Sequence, residues 1–272
     1  MVRRVLEEGI QRGDRTGTGT ISIFSHQMTF DMADGFPLLT TKDMTTSFNH
    51  VVGEMLWMLE GSTNANYLAE RFGFSIWKRW AQNASGDLGP VYGHQWRNFD
   101  GEVIDGTFLT GTDQISWVMK ELTENPTSRR MVVSSWNPNQ LDKMALPPCH
   151  WSFELYVEKD TLNMKLHQRS CDVFLGVPYN IAEYALLLHM IANVADYVPG
   201  ILIHDMTNVH IYNDHIPQME EQIRRSTYKY YAPRLVIKDS PKGNRSIFDF
   251  RPEDFELQSY GHFPKLTGKV SV

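Results

Sequence analysis

Two runs of alternating residues, parted by three polar ones, constrain the middle of the chain more than any other feature. Trp151, Phe153, Leu155 and Val157 share one parity; after Glu158, Lys159 and Asp160, Leu162, Met164 and Leu166 share the next. A period of two on either side of a short polar break predicts a β-hairpin with one buried face. Facing residues of an antiparallel pair have positions of constant sum. A turn centred near Lys159-Asp160 sets Cys149 opposite Ser170 and His150 opposite Arg169. The hairpin mouth then brings a thiol together with a guanidinium and a hydroxyl. A cationic neighbour lowers a thiol's pKa and makes a better nucleophile of it. A small buried cysteine in a sheet fits the same pattern, so alternation leaves both readings open.

The flanking sequence reads as helices and strands around this hairpin. Residues 2–11 have helical spacing, with Val5, Leu6 and Ile10 apolar and Gly13-Asp14 as the stop. Arg15-Thr16-Gly17-Thr18-Gly19-Thr20 is small, polar and glycine-rich, so its backbone can approach a ligand closely. An arginine among main-chain N–H groups suits a phosphate; a plain connecting turn is the bland alternative. Residues 21–32 alternate as strands do, and residues 46–60 read as a helix with Glu54 among apolar neighbours. A carboxyl there is either buried, with a raised pKa, or at a solvent-facing helix edge. Trp77 and Trp80 share one face if that segment is helical. Residues 86–93, which carry Tyr92, and residues 101–111 read as glycine-containing loops. A helix over 113–125 ends before Pro126, and a strand over 131–136 follows Arg129 and Arg130. Residues 181–195 are the most apolar stretch, interrupted by Glu183, His189 and Asn193, and predict a buried central helix. His210 and Tyr212, two apart on a strand, face the same way. A metal site from His204, His210 and His215 is a rival use of those histidines, but no cysteine or carboxylate set accompanies them.

Composition narrows the class. The chain has 272 residues, 42% hydrophobic and 12% aromatic, which suits a globular protein with one large core. No repeat, low-complexity linker or composition shift marks a second domain, so residues 1–272 are expected to form a single domain. The formal net charge of −6 argues against a general nucleic-acid-backbone binder, though a few local arginines suffice for one phosphate. Two cysteines are too few for a disulfide framework and suit reduced, intracellular thiols. No run approaches the ~18–20 apolar residues of a membrane span.

Arg169-Ser170-Cys171-Asp172-Val173-Phe174-Leu175-Gly176-Val177-Pro178-Tyr179-Asn180-Ile181-Ala182, taken with Pro147-Pro148-Cys149-His150, resembles the thymidylate synthase family. The resemblance runs from the Asp14–Thr20 stretch to Val272. It implies an α+β fold: a single domain with a large, mostly β sheet packed by helices, the sheet forming the interface of an obligate homodimer. It implies a cytoplasmic enzyme that converts dUMP to dTMP with 5,10-methylenetetrahydrofolate as co-substrate, through a covalent adduct between Cys149 and C6, with dihydrofolate as co-product and no metal. By resemblance the catalytic residues are Cys149, Glu54, Tyr92, Asn180, Arg169 and His150. The nucleotide would be bound by Arg15, Arg169, Ser170, Asp172, Asn180, His210 and Tyr212, with Arg129 and Arg130 donated by the other subunit. The folate would lie against Ile76, Trp77, Trp80, Asp172, Leu175, Gly176, Tyr179 and Val272. Asn180 favours a uracil, since relatives that hydroxymethylate dCMP carry Asp there. Departures from the family pattern fall at Lys42–Glu54, about two residues longer than usual, at Glu154, and at Asp205-Met206-Thr207-Asn208. A dUMP hydroxymethylase on the same scaffold, and a catalytically silent binding homologue, are the competing expectations.

Overall fold

The predicted hairpin is present in the structure, a computed structural model that describes every residue except Gln82, Asp105, Gly106, 239–244 and Val272. In chain order the elements are α1 (Val2–Glu8), β1 (Ile10–Arg12), β2 (Thr20–Asp31), α2 (Thr45–Leu59), α3 (Ala65–Phe72), a 3-10 turn at Ile76–Arg79, α4 (Tyr92–Asn98), β3 (Glu102–Ile104), β4 (Thr107–Leu109), α5 (Gln114–Glu124) and β5 (Val132–Ser134). They continue with β6 (His150–Glu158), β7 (Thr161–Gln168), β8 (Cys171–Asp172), α6 (Gly176–Val194), β9 (Val198–Tyr212), α7 (Ile216–Arg225), β10 (Arg234–Ile237) and β11 (Phe255–Gln258). A seven-stranded sheet runs in the order β1-β2-β9-β7-β6-β5, with β8 beside β9. It is mixed: β7 and β8 lie parallel to β9 and the other pairs are antiparallel. The parallel step from β7 to β9 needs a long crossover, and α6 supplies it. The α+β expectation holds.

The hairpin register differs from the simple count by one residue at its open end. Pairing runs regularly from Glu158↔Thr161 to Ser152↔His167, then slips to His150↔Gln168. Trp151 is the extra residue of this bulge, and it turns outward at 37% exposure. The Arg169 N–H donates to the Cys149 carbonyl at 2.9 Å, so Cys149 faces Arg169 and not Ser170. Parity could not reveal this, because an apolar tryptophan occupies the slipped position.

Other expectations shift at their edges. The helix read over 2–11 stops at Glu8, and Ile10–Arg12 leaves it to pair with β2. Gly9 permits the change of direction, since a Cβ there would sit 2.3 Å from the Val5 carbonyl oxygen. Tyr92 opens a helix rather than lying in a loop. Residues 101–111, read as a loop, contain the paired strands β3 and β4. The central helix begins earlier than 181, with Pro178 tolerated in its first turn. It is buried on nearly all sides, between the sheet and α2, as its uniformly apolar sequence requires. The opposite sheet face carries a groove of about 680 Å³ bordered by Arg129, Val132, Glu154, Tyr156, Lys165 and Ile203.

Three histidines lie in or against this core. Burial holds His150 down to about 3 and His189 and His204 down to about 4. In the unfolded chain a histidine takes up its proton near ~6.5. Between those values the unfolded chain binds more protons, so stability is full above ~6.5 and is lost as pH falls through the window. The melting temperature should therefore fall on acidification from pH ~7 to ~5. His189→Leu removes one such group, whose Nε2 has no hydrogen-bond partner. It should flatten the slope by up to about 1.4 kcal/mol per pH unit; a slope equal to the parent's would contradict this account.

Candidate active site

Cys149 lies half-buried at the slipped end of the hairpin. Its N–H donates to the Tyr92 hydroxyl oxygen at 2.8 Å, leaving the tyrosine's own hydrogen for another acceptor. Tyr92 stacks on His150 with centroids 4.2 Å apart, and His150 Nδ1 meets the Tyr184 hydroxyl at 2.8 Å. The Arg169 guanidinium donates from Nε to the Pro148 carbonyl at 2.8 Å and from Nη2 to that of Pro147 at 2.9 Å. Main chain on the approach to Cys149 therefore fixes this cation. Burial nevertheless pushes the thiol above its usual pKa. Arg169, Arg15 and a bond with Ser170 pull it back, while Asp172 adds to the rise. The expectation of a lowered pKa thus holds for the arginines' effect and fails for the net result, because desolvation of the thiolate outweighs them.

The loop at 14–19 supplies the second cation. Asp14 accepts from the N–H groups of Thr16 and Gly19, both at 2.6 Å, and so curls the loop around itself. Gly19 has φ +78 and a Cβ there would strike the Asn213 amide at 2.5 Å, so any other residue would be strained and would displace that amide. Arg15 is exposed on this loop yet close enough to act on the thiol. His210 and Tyr212 stand side by side on β9, centroids 5.4 Å apart. His210 Nδ1 donates to the Asn208 carbonyl at 2.9 Å, which leaves Nε2 for a ligand. Asn208 occupies a left-handed position (φ 54) in the strand, a conformation asparagine tolerates better than most residues.

Asn180 closes the site from α6. Its Oδ1 accepts from Gln168 Nε2 at 3.0 Å and its Nδ2 donates to Glu183 Oε2 at 3.1 Å. One N–H and one oxygen lone pair of the amide are left over. Glu54 is buried in α2, bonded to Glu183 and accepting from Trp77 Nε1, so the solvent-edge alternative for it falls. Burial first, and then Glu183, push its carboxyl well above the usual range.

Asp172 Oδ1 accepts from the N–H groups of Phe174 and Leu175 at 3.0 and 3.3 Å and so shapes the entry to α6. A Cβ on Gly176 would sit 3.6 Å from that of Asp172. Tyr179 donates to Ser47 Oγ at 2.8 Å. Trp77 meets Trp80 edge-on at 5.7 Å and Tyr92 at 6.0 Å, and Ile76 packs against the same core. Beneath Asp172, Lys42 is buried with Nζ bonded to the Phe174 carbonyl at 2.7 Å; burial lowers it to about 8 while Asp172 draws it up. Val272, expected at the folate, lies outside the described residues. Its neighbour Ser271 reaches Thr18 at 3.4 Å.

A family model described as Thymidylate synthase matches residues 1–272. The chain belongs to the thymidylate synthase family.

Thymidylate-synthase-like catalysis follows for the chain as a general activity. The structure brings Cys149, Tyr92, His150, Arg169, Ser170, Asp172, Arg15 and Tyr212 into one electrostatic and hydrogen-bonded cluster, joined through Gln168 to Asn180 and Glu54. Arg129 and Arg130 are exposed ahead of β5. His204, His210 and His215 turn to separate partners, Gln168, Asn208 and Lys269. The sequence reading missed Gln168, Tyr184, Glu183 and Lys42. A signal existed for Glu183: an acidic residue three positions after Asn180 in an otherwise apolar helix puts both on one face.

Proposed function

We propose that this chain converts dUMP to dTMP, taking the one-carbon unit and the hydride from 5,10-methylenetetrahydrofolate and releasing dihydrofolate. The observation that carries the reading is a cysteine thiol, with two guanidinium groups acting on it, in the same hydrogen-bonded site as an amide that has one N–H and one lone pair left for a base edge. Uracil presents O4 as acceptor and N3–H as donor, which match that amide. Arg15 and Arg169, with Arg129 and Arg130 of a second copy, bind the phosphate, and His210 Nε2 with the Tyr212 hydroxyl takes the sugar 3′-hydroxyl. Cys149 as thiolate adds to C6, which turns C5 into an enolate carbon and places negative charge on O4. C5 attacks the folate-borne methylene. Loss of the C5 proton toward Tyr92 and water, followed by cleavage from the folate, leaves an exocyclic methylene; hydride from the tetrahydrofolate reduces it to methyl as the thiolate departs. Trp77 and Trp80 shield that methylene from water, and Asp172, Leu175, Gly176 and Tyr179 hold the pterin.

The homodimer forms through the open sheet face. Tyr156 and Val132 are 66% and 44% exposed there beside the groove that Arg129 borders. Apolar side chains on a broad, uncovered sheet mark an association surface.

Incubation of purified protein with dUMP and methylenetetrahydrofolate tests the reaction. Thymidylate by mass, with equimolar dihydrofolate by absorbance, is expected. Hydroxymethyl-dUMP with tetrahydrofolate released means that water reaches the methylene and the chain is a hydroxymethylase. No turnover of dUMP overturns the proposal.

A further inference from the structure

Two glutamates meet in the core. Glu54 of α2 and Glu183 of α6 are both buried, and their carboxyls hydrogen-bond to each other. Ionised carboxylates only accept, so this bond needs a proton on one of the two. The neighbouring bonds have a fixed direction that begins at the main chain. The Ser170 carbonyl can only accept, so the Gln168 atom facing it at 2.9 Å is the amide nitrogen. That nitrogen also donates to Asn180 Oδ1, and His204 Nε2 donates to Gln168 Oε1 at 2.8 Å. Asn180 must then turn Nδ2 toward Glu183 Oε2. From the far side Trp77 Nε1 donates to Glu54 Oε1. One oxygen of each carboxyl is left for the bond between the two glutamates.

We propose that Glu183 is a positioning residue of this site, holding a proton on Glu54 and holding the Asn180 amide in one orientation. The role rests on the dUMP reading above and extends it to selectivity and acid catalysis. With the amide locked, its free N–H meets O4 of a uracil and its free lone pair meets N3–H; cytosine presents the reverse pattern. Glu54 in its acid form then serves O4 as the thiolate adds at C6. Burial raises both carboxyls, whereas the bonds from Glu54 and Asn180 draw Glu183 back. The groups acting on the pair are each other, Trp77 and Asn180, while the hydroxyls of Tyr92, Tyr179 and Tyr184 feel the charge of Glu183.

Glu183→Gln, Glu54→Gln and the double variant test this, with melting temperatures as the check on folding. Infrared spectra of the ligand-free parent at pH ~7 should show a protonated-carboxyl stretch that Glu54→Gln removes. Glu183→Gln should remove it too, because a glutamine N–H lets Glu54 ionise. Absence of the band from the parent overturns the pairing, even where a variant folds poorly. With dUMP, the alkaline limb of kcat in Glu183→Gln should move down by at least about one pH unit, a loss of about tenfold near pH 8 that is regained near pH 6. The KM for dUMP should stay within about threefold, and the double variant should be no slower than Glu54→Gln alone. A loss equal at every pH, or losses that multiply in the double variant, would overturn the role. A parent that shows the band yet leaves dUMP unchanged sinks the dUMP reading and keeps the carboxyl pair.

Discussion

Cys149→Ser should lower turnover by roughly a thousandfold or more while leaving the fold intact. The proposed reaction starts with a thiolate, and an alcohol in the same place is far harder to ionise and a weaker nucleophile. The site makes the exchange worse. Burial already raises the thiol, and the arginines offset only part of that rise, so a serine has no neighbour able to ionise it. Structure should survive, because the exchange leaves the main-chain bonds of Cys149 in place, its N–H to Tyr92 and its carbonyl to Arg169. Arg169 is held by the Pro147 and Pro148 carbonyls, so the proposed partner of the phosphate stays in place. Binding of dUMP, measured calorimetrically, should change by no more than a few-fold. The parent should form a covalent complex with 5-fluoro-dUMP and folate, visible by mass, and the variant should form none. A serine variant that retained full turnover would falsify nucleophilic catalysis by Cys149.

Mixing two inactive proteins should restore activity. In the proposed dimer, Arg129→Ala/Arg130→Ala leaves each site without the second copy's arginines, and Cys149→Ser leaves each site without its proposed nucleophile. In a mixed dimer one site carries both defects and the other carries neither. Random exchange at equal concentrations makes half the dimers mixed, so about a quarter of all sites should be native. Recovery should follow subunit exchange in time and should be absent when exchange is prevented. The physical ground is placement: both arginines are exposed ahead of the edge strand β5, and Arg129 borders the groove on the open sheet face. Alanines there should change melting by little, since neither side chain is buried. If the two inactive proteins form mixed dimers that remain inactive, the arginines do not act across the interface.

Much of this site was legible because it is built on local periodicity. The hairpin, the helix around Glu54 and the strand bearing His210 and Tyr212 all declare themselves by spacing alone. What was not legible depends on distant segments meeting. Glu183 looked like an interruption of an apolar helix, and its meaning comes from Glu54, which arrives from another helix across the core. Gln168 gains its role by touching Asn180 and His204 at once. The net rise of the Cys149 pKa follows from depth of burial, which no count of neighbouring arginines conveys. The bulge at Trp151 was hidden because outward and inward positions there both carry large rings.

That bulge gives consecutive residues unrelated duties. His150 turns in to the stacked aromatic wall, Trp151 turns out to the open face, and Ser152 turns in again, followed by buried Phe153. Odd and even positions farther along the hairpin divide the same way between core and exterior. The slip resets the parity just after Cys149, so the candidate site and the outer surface are written in different phases of one strand. Evolution can therefore vary the outward phase to change what the sheet meets, with the inward phase untouched. A single-residue insertion between the bulge and the turn is another matter, since it would exchange the two phases at a stroke. Length, counted modulo two, is as much a part of this site as the identity of any side chain in it.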